Sequence, residues 1–191
     1  MTSRSAHIQF TTAIERVPTI PGMSHWPMDG SASQHEVLGT LNDAMANAIV
    51  CLLRYRSHHF LARSARSYAA AWDFLDHSNN QQGHADLIAE QIVLLGGQPD
   101  FTPDKLLQQC RAEHTNDPTV TDMLSENLIA AHLLVDDYRQ FIVFLRDAYP
   151  TTRRMLESIL EVEQAHVVEL AQLLQVESAC AWPLRRGHES H

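Results

Sequence analysis

The sequence has few basic residues, and it lacks a long apolar run. Its 14 lysines and arginines stand against 23 aspartates and glutamates, which gives a formal net charge of −9. Nucleic-acid binding needs a basic surface that neutralises phosphates, so this balance predicts no nucleic-acid partner. The longest apolar runs, such as residues 49–53 and 142–145, are far shorter than the roughly 20 residues that cross a bilayer, so no membrane partner is predicted.

Cysteines are also scarce. Cys51, Cys110 and Cys180 are odd in number, far apart and without a C-x-x-C pair, so the sequence suggests neither a disulfide framework nor a zinc-thiolate site, as is typical of a reducing compartment. The N-terminal residues include Arg4 but no apolar segment of the kind found in secretion signals. We therefore expect a cytoplasmic protein.

The apolar content of 45% in 191 residues is enough for one domain with a sizeable core. Residues 1–33 contain three prolines and show no sustained periodicity, which predicts an N-terminal arm with little regular structure. We assign residues 34–176 to the folded domain. Residues 177–191 are predicted to be a polar C-terminal tail.

The hydrophobic periodicity of the domain is helical throughout, which predicts an all-α four-helix bundle. The predicted helices are A (34–64), B (67–95), C (119–148) and D (from Thr151 or Thr152 to 176). Ser33 and Glu36 form a capping box before helix A, and Gly96 and Gly97 end helix B. The B–C connection, 97–118, is long enough for a crossover and has room for a short helical turn within 106–112. A plain up-and-down bundle is the alternative.

Two pairs of polar residues interrupt the apolar stripes of helices B and D. Gln81 and His84 lie on helix B, and Glu163 and His166 lie on helix D. Residues three apart project from one helix face, so each pair can reach the same point inside the bundle. A buried carboxylate without a partner is costly, so this pattern predicts a polar or metal-binding centre.

The segments around these pairs resemble bacterioferritin and its bacterioferritin-like relatives. They read LNDAMANAIVCLLRYR at 41–56, HSNNQQGHADLIAEQIVLLGGQP at 77–99 and SILEVEQAH at 158–166. The resemblance covers about residues 38–174. It implies a ferritin-like bundle with one long crossover between helices B and C, assembly into dimers or larger shells, and a role in iron binding or homeostasis through a two-iron centre inside each bundle.

The resemblance also implies that half of the iron ligands have been replaced. The positions of the six ligands carry Ala48, Gln81, His84, Ala131, Glu163 and His166. The methionine that holds haem at a dimer axis would fall on Gln82, which argues against haem. Two Fe²⁺ ions bring four positive charges, and a single carboxylate cannot balance them in a buried site. These substitutions argue against an intact two-iron ferroxidase, and no catalytic residue is assigned.

The remaining residues could bind one metal ion. His84, Glu163 and His166, with Gln81 beside them, could hold a single Fe, Mn or Zn ion per chain with open coordination positions, and Cys51 could add a soft ligand. A hydrogen-bonded network without metal is the alternative. The protein would then be a non-catalytic scaffold or a partner subunit of an intact ferritin-like relative. A third hypothesis places a small-molecule or redox site in the vacated cavity.

Other polar and aromatic residues are predicted to have structural roles. Tyr55 and Tyr138 lie two turns beyond Ala48 and Ala131 and are expected in the core. Surface or rim positions are expected for His58, His59 and His132, and a solvated face for Asp136 and Asp137. We predict a homo-oligomer, at least a dimer.

Overall fold

The computed structural model describes residues 32–109 and 117–181, and these residues form helices and no strand. The helices are α1 (Gln34–Ser64), α2 (Tyr68–Leu94), α3 (Pro103–Gln109), α4 (Val120–Leu145) and α5 (Pro150–Ala181). The predicted all-α class is confirmed, with α1, α2, α4 and α5 as the four long helices. The predicted arm lies outside the described residues except for Ala32 and Ser33.

Side chains cap two of the long helices. The predicted capping box of α1 is present, because Ser33 Oγ accepts from the Glu36 amide at 3.3 Å and the Glu36 carboxylate accepts from the Ser33 amide at 2.9 Å. Thr119 and Asp122 form a second capping box at the start of α4. Such boxes satisfy backbone amides that have no partner within the helix. The chain leaves α2 through Gly96, whose φ of 76° suits a residue without a side chain.

Two helices differ from their predicted bounds. α3 starts at Pro103, because proline is well tolerated in the first turn of a helix, and so begins before the predicted 106–112. α5 starts at Pro150 and continues to Ala181, five residues into the predicted tail. Residues 177–181 contain neither glycine nor proline. Glu177 also accepts a hydrogen bond from Ser67, which ties this part of α5 to the beginning of α2.

Hydrogen bonds between helices define their relative directions. Gln34 bonds to the carbonyl of Leu95, and Ser78 to that of Leu52, so α1 and α2 run antiparallel.

The α2–α5 pair is antiparallel as well. Gln91 donates to Thr152 at 2.9 Å near the beginning of α5, whereas Ser67 bonds to Glu177 near its end.

These directions select the topology. Since α4 and α5 are packed together and joined by a short turn at residues 146–149, α4 runs opposite to α5 and therefore parallel to α2. The α2–α4 connection must then travel the length of the bundle. The predicted crossover is confirmed, and a plain up-and-down bundle, in which α2 and α4 would be antiparallel, is excluded.

The core runs along the centre of the bundle. Ala48, Tyr55, Ala131 and Tyr138 are all buried, as predicted for the two tyrosines. Within the described residues, α1 is apolar enough to span a membrane by length and composition, with a mean hydropathy of 1.3 in one window. Half of that window is buried inside the bundle, and a core helix passes the same test.

Two histidines predicted at the surface are buried instead. His58 and His59 are each 7% exposed. Asn127 lies 2.7 Å from His58 Nδ1, and the Ala71 carbonyl lies 2.7 Å from His59 Nδ1. These partners come from other helices, which the spacing along α1 does not reveal. His132 is exposed, as predicted.

Asp137 also departs from prediction. Asp136 faces solvent and accepts a hydrogen bond from Arg139, whereas Asp137 is 5% exposed. Burial, with a smaller contribution from the charge of Asp136, raises the pKa of Asp137 to about 7. The solvated face therefore includes only the first residue of the pair.

The substitution Asp137→Asn is expected to stabilise the protein at pH 8 by ~1–3 kcal/mol. The pKa of Asp137 is about 7 in the folded protein and has its ordinary value of 3.8 in the unfolded chain. Between pH 3.8 and about pH 7, the folded protein therefore keeps a proton on Asp137 that the unfolded chain has lost. Its stability falls as the pH rises through this window. The gain should disappear at pH 4, and urea unfolding at both pH values measures it.

The matched control for this prediction is Asp136→Asn, which changes the neighbouring but exposed carboxylate. We expect a smaller change, since an exposed charge is well solvated. Equal effects of the two substitutions at pH 8 would contradict the assignment of the cost to burial of Asp137.

Candidate metal centre

All four residues predicted for the centre come together between α2 and α5. Gln81 and Glu163 are fully buried, and His84 and His166 are 5% and 2% exposed. Gln81 Nε2 donates to Glu163 Oε1 at 2.7 Å. His84 Nδ1 lies 2.9 Å from Oε1, and His166 Nδ1 lies 3.4 Å from Oε2. The Glu163 carboxylate therefore contacts each of the other three side chains of the site.

The charge state of Glu163 follows from these neighbours. Burial alone would raise the pKa of Glu163, but the adjacent imidazoles of His166 and His84 outweigh burial and lower the pKa to about 2. The carboxyl group is consequently ionised at neutral pH. A buried anion next to two imidazoles is a favourable environment for a cation.

Several polar atoms of the centre have no hydrogen-bond partner. They are Gln81 Oε1, His84 Nδ1, Glu163 Oε2 and His166 Nδ1. Both imidazole Nδ1 atoms are close to the carboxylate, at 2.9 and 3.4 Å, without forming a regular hydrogen bond to it. Buried polar groups normally have partners, so a cluster of unpaired atoms needs a physical explanation such as an ion or ordered water.

The separations are compatible with ligands of one ion. Two ligand atoms that each lie about 2.1 Å from an ion at a right angle are about 3 Å apart, close to the 2.9 and 3.4 Å between the imidazole nitrogens and the carboxylate oxygens. Among residues 32–109 and 117–181, however, no three His, Cys, Asp or Glu side chains already surround a common point in the manner of a formed metal site. Here the carboxylate contacts the imidazoles directly.

The α1 and α4 side of the bundle contributes alanines and tyrosines. Ala48 and Ala131 are fully buried, so these positions offer no charge to a cation. The Tyr138 hydroxyl is buried without a hydrogen-bond partner. Burial and the nearby charge of Glu163 raise the pKa of Tyr138, which keeps the hydroxyl protonated and able to donate.

Cys51, predicted as an additional ligand, is buried on α1. Its sulfur accepts a hydrogen bond from Arg54 Nη2 at 3.4 Å. Arg54 Nε in turn donates to Asn127 on α4 at 3.0 Å. The contacts of the thiol thus include a link between α1 and α4, and its role as a metal ligand stays a prediction.

Three residues near His166 were not predicted from the sequence. The His77 ring stacks on the His166 ring with a centroid distance of 3.9 Å, and Asn80 Nδ2 lies 3.1 Å from His166 Nε2. Glu169 lies 2.9 Å from His77 Nε2. The available signal was spacing, because His77 precedes Gln81 by four residues and His84 by seven and so lies on the same face of α2.

The chain is similar in sequence to known proteins. A nutrient stress-induced DNA-binding protein of Synechococcus sp. is 28% identical over 141 residues, which are 72% of this chain and 80% of the relative. A low temperature-induced protein of Nostoc sp. (strain PCC 7120) is 27% identical over 153 residues, 78% of each chain.

The fold also matches a solved structure. The dodecameric thioferritin of Bacteroides fragilis, a bacterioferritin-related protein, has a TM-score of 0.70 and 18% sequence identity, with 93% of this chain and 98% of that chain covered. The Ferritin family, described as a ferritin-like domain, matches residues 38–179. This match covers the helices that carry the centre, and the chain therefore belongs to the ferritin-like domain family.

Proposed function

We propose that this protein binds a single divalent transition-metal ion per chain and acts in iron binding or homeostasis. His84, Glu163 and His166 would supply the ligands, with Gln81 holding the carboxylate. One observation carries the proposal: two imidazole Nδ1 atoms and a carboxylate oxygen, all buried and without hydrogen-bond partners, meet around Glu163.

The charge of the centre favours one ion over two. If the imidazoles are neutral, the single negative charge of Glu163 reduces the net charge of the centre to +1 with one Fe²⁺ bound. With two Fe²⁺ bound, the net charge would be +3. Low-dielectric surroundings make such an excess costly. Ala48 and Ala131 cannot compensate, and Gln81 is neutral. The proposed centre is thus mononuclear and is not a two-iron ferroxidase.

Two histidines and one carboxylate suit Fe²⁺, Mn²⁺ or Zn²⁺ and leave open coordination positions. When iron is bound, it would supply redox chemistry at those positions. The protein's contribution is to orient the imidazoles, to keep Glu163 ionised, and to exclude bulk water by burying all four side chains.

The metal-free network is the competing explanation. The hydrogen bond from Gln81 to Glu163 and the contact of Asn80 with His166 satisfy part of the centre without an ion. This favours a non-catalytic scaffold only if metal does not bind. The unpaired Nδ1 atoms of both histidines count against that alternative, since a network that evolved without metal would be expected to satisfy them.

The proposal includes assembly into a homo-oligomer. The structural relative from Bacteroides fragilis is dodecameric, and this chain exposes large apolar side chains, including Phe60, Tyr68 and Trp72 at 60–71%. Phe60 precedes the α1–α2 turn and Tyr68 and Trp72 follow it, and exposed apolar side chains of this size are typical of a contact surface between subunits. DNA binding, which the name of the Synechococcus relative states, is not included, because the net charge of −9 opposes it.

Metal loading tests the proposal. Purified protein is incubated anaerobically with Fe²⁺, and separately with Mn²⁺ and Zn²⁺, freed of unbound metal and submitted to elemental analysis. We expect about one ion per chain and its loss in His84→Ala. The exposed His132→Ala variant should retain it. Light scattering on the same samples should give a mass of at least two chains.

Two results would contradict the single-ion proposal. No retained metal in a well-folded protein would favour the scaffold. Two ions per chain that are lost together in His84→Ala would show that the centre holds a pair despite its single carboxylate. A monomeric mass would contradict the proposed assembly while leaving the metal centre standing.

A further inference from the structure

His77 lies beside the proposed centre without being one of its predicted ligands. The ring is 1% exposed, and its plane makes an angle of 29° with that of His166 at a centroid distance of 3.9 Å. The Tyr55 ring meets His77 edge-on at 5.2 Å. His77 is therefore fixed between an aromatic residue of α1 and an imidazole of α5.

The outer nitrogen of His77 is anchored near the surface. Its Nε2 lies 2.9 Å from Glu169 Oε2, whose side chain is half exposed. His77 therefore lies between the half-exposed Glu169 and the buried His166, and contacts both.

His166 is held on several sides as a result. His77 covers one face of its ring, Asn80 contacts its Nε2 at 3.1 Å, and its Nδ1 lies 3.4 Å from Glu163. An imidazole that is confined on a face and at one nitrogen presents the other nitrogen in a defined direction. Residues that orient a ligand in this way typically change metal affinity by about 10- to 100-fold when removed.

We propose that His77 is a positioning residue whose ring holds His166 with Nδ1 directed at Glu163. The inference deepens the proposed function and rests on it for its effect on metal.

The experiment compares His77→Phe with His77→Ala. Phenylalanine retains a flat ring that can stack on His166 but has no nitrogen, whereas alanine removes the stack. Co²⁺ is the probe, because its visible absorption reports both affinity and ligand geometry. Expected results are a Co²⁺ affinity within about threefold of wild type for His77→Phe and a loss of about 10- to 100-fold for His77→Ala.

A second measurement uses the metal-free protein. The ¹⁵N chemical shifts of His166 report which ring nitrogen carries the proton, and a fixed ring should show one tautomer. We expect one tautomer in wild type and in His77→Phe, and an averaged pair in His77→Ala. The variant His59→Ala, which removes another buried histidine, should leave both the tautomer and Co²⁺ binding unchanged.

The outcomes separate the inference from the proposed function. Equal loss of Co²⁺ binding in His77→Phe and His77→Ala would overturn positioning by the ring, because a nitrogen of His77 would then be required. Unchanged binding and tautomer in His77→Ala would also overturn it. If wild type binds no Co²⁺, the proposed function fails, while the tautomer measurement still decides whether His77 fixes His166. The Phe variant retains this test if the Ala variant does not fold.

Discussion

The substitution Glu163→Gln is expected to reduce affinity for a divalent ion by a factor on the order of 100 or more, beyond the loss typical of residues that only support a ligand. Glutamine has nearly the same shape but removes the one negative charge of the centre. Because the pKa of Glu163 is about 2, the wild-type group is ionised throughout the pH range of a binding experiment. Isothermal titration with Mn²⁺ or Zn²⁺ measures the loss.

The exposed Glu161 provides the control on the same helix. Glu161→Gln removes the same charge from the net balance, and long-range attraction between exposed charges is screened at ordinary salt. Its affinity should therefore match wild type. If Glu163→Gln binds metal as well as wild type does, the ion is held elsewhere or the assignment of Glu163 as a ligand is wrong.

The substitution Gln81→Glu is expected to have opposite effects on the metal-free and metal-loaded protein. Gln81 Nε2 lies 2.7 Å from Glu163 Oε1, so a glutamate in its place would bring two carboxylates together. Like charges in a buried site raise the pKa of one member. The free energy of unfolding of the metal-free variant should fall by ~2–4 kcal/mol at pH 8.

Lowering the pH should relieve this loss, since the pKa raised in the folded state favours proton uptake on folding. At pH 5 a proton shared by the two carboxylates would replace the repulsion with a hydrogen bond. The loss should therefore be smaller at pH 5 than at pH 8. Urea unfolding of the metal-free variant at the two pH values measures this difference.

Metal should reverse the loss in the Gln81→Glu variant. The second carboxylate balances the remaining charge of a bound dication, so we expect at least about tenfold tighter binding and a larger metal-induced rise in melting temperature than in wild type. Thermal unfolding with and without Zn²⁺ measures both effects. A metal-independent melting curve would contradict the proposed position of the ion beside Gln81.

The neighbouring Gln82 is exposed and serves as the matched control. Gln82→Glu adds the same charge one residue away, on the outer face of α2, where water solvates it. Neither the metal-free stability nor the response to metal should change appreciably. A similar response of both variants would indicate a general effect of charge on α2 rather than one at the centre.

The helices and the four residues of the centre could be predicted because both depend on spacing along a helix. Ser33 and Glu36 satisfy backbone amides locally, and an i, i+3 pair shares a face wherever its helix packs. Gln81 with His84, and Glu163 with His166, could therefore be assigned to a common interior. The exposure of His132 followed from the same reasoning.

Contacts between helices could not be predicted from spacing along a single helix. His58 and His59 occupy positions on α1 that are buried only because α4 and the beginning of α2 cover them. Asp136 and Asp137 are consecutive residues of α4, and the packing of that helix decides which of the two carboxylates is solvated. The end of α5 lies beyond its predicted position, where the chain meets Ser67.

By itself, the sequence determined an all-α fold, its four long helices and a centre with one carboxylate, since periodicity and residue identity suffice for these. Only the tertiary structure decided how α2 and α5 align, which set Glu163 between His84 and His166 and stacked His77 on His166. The physical reason is that helix register and ring orientation depend on the packing of whole faces, and residues far apart in the chain determine that packing together.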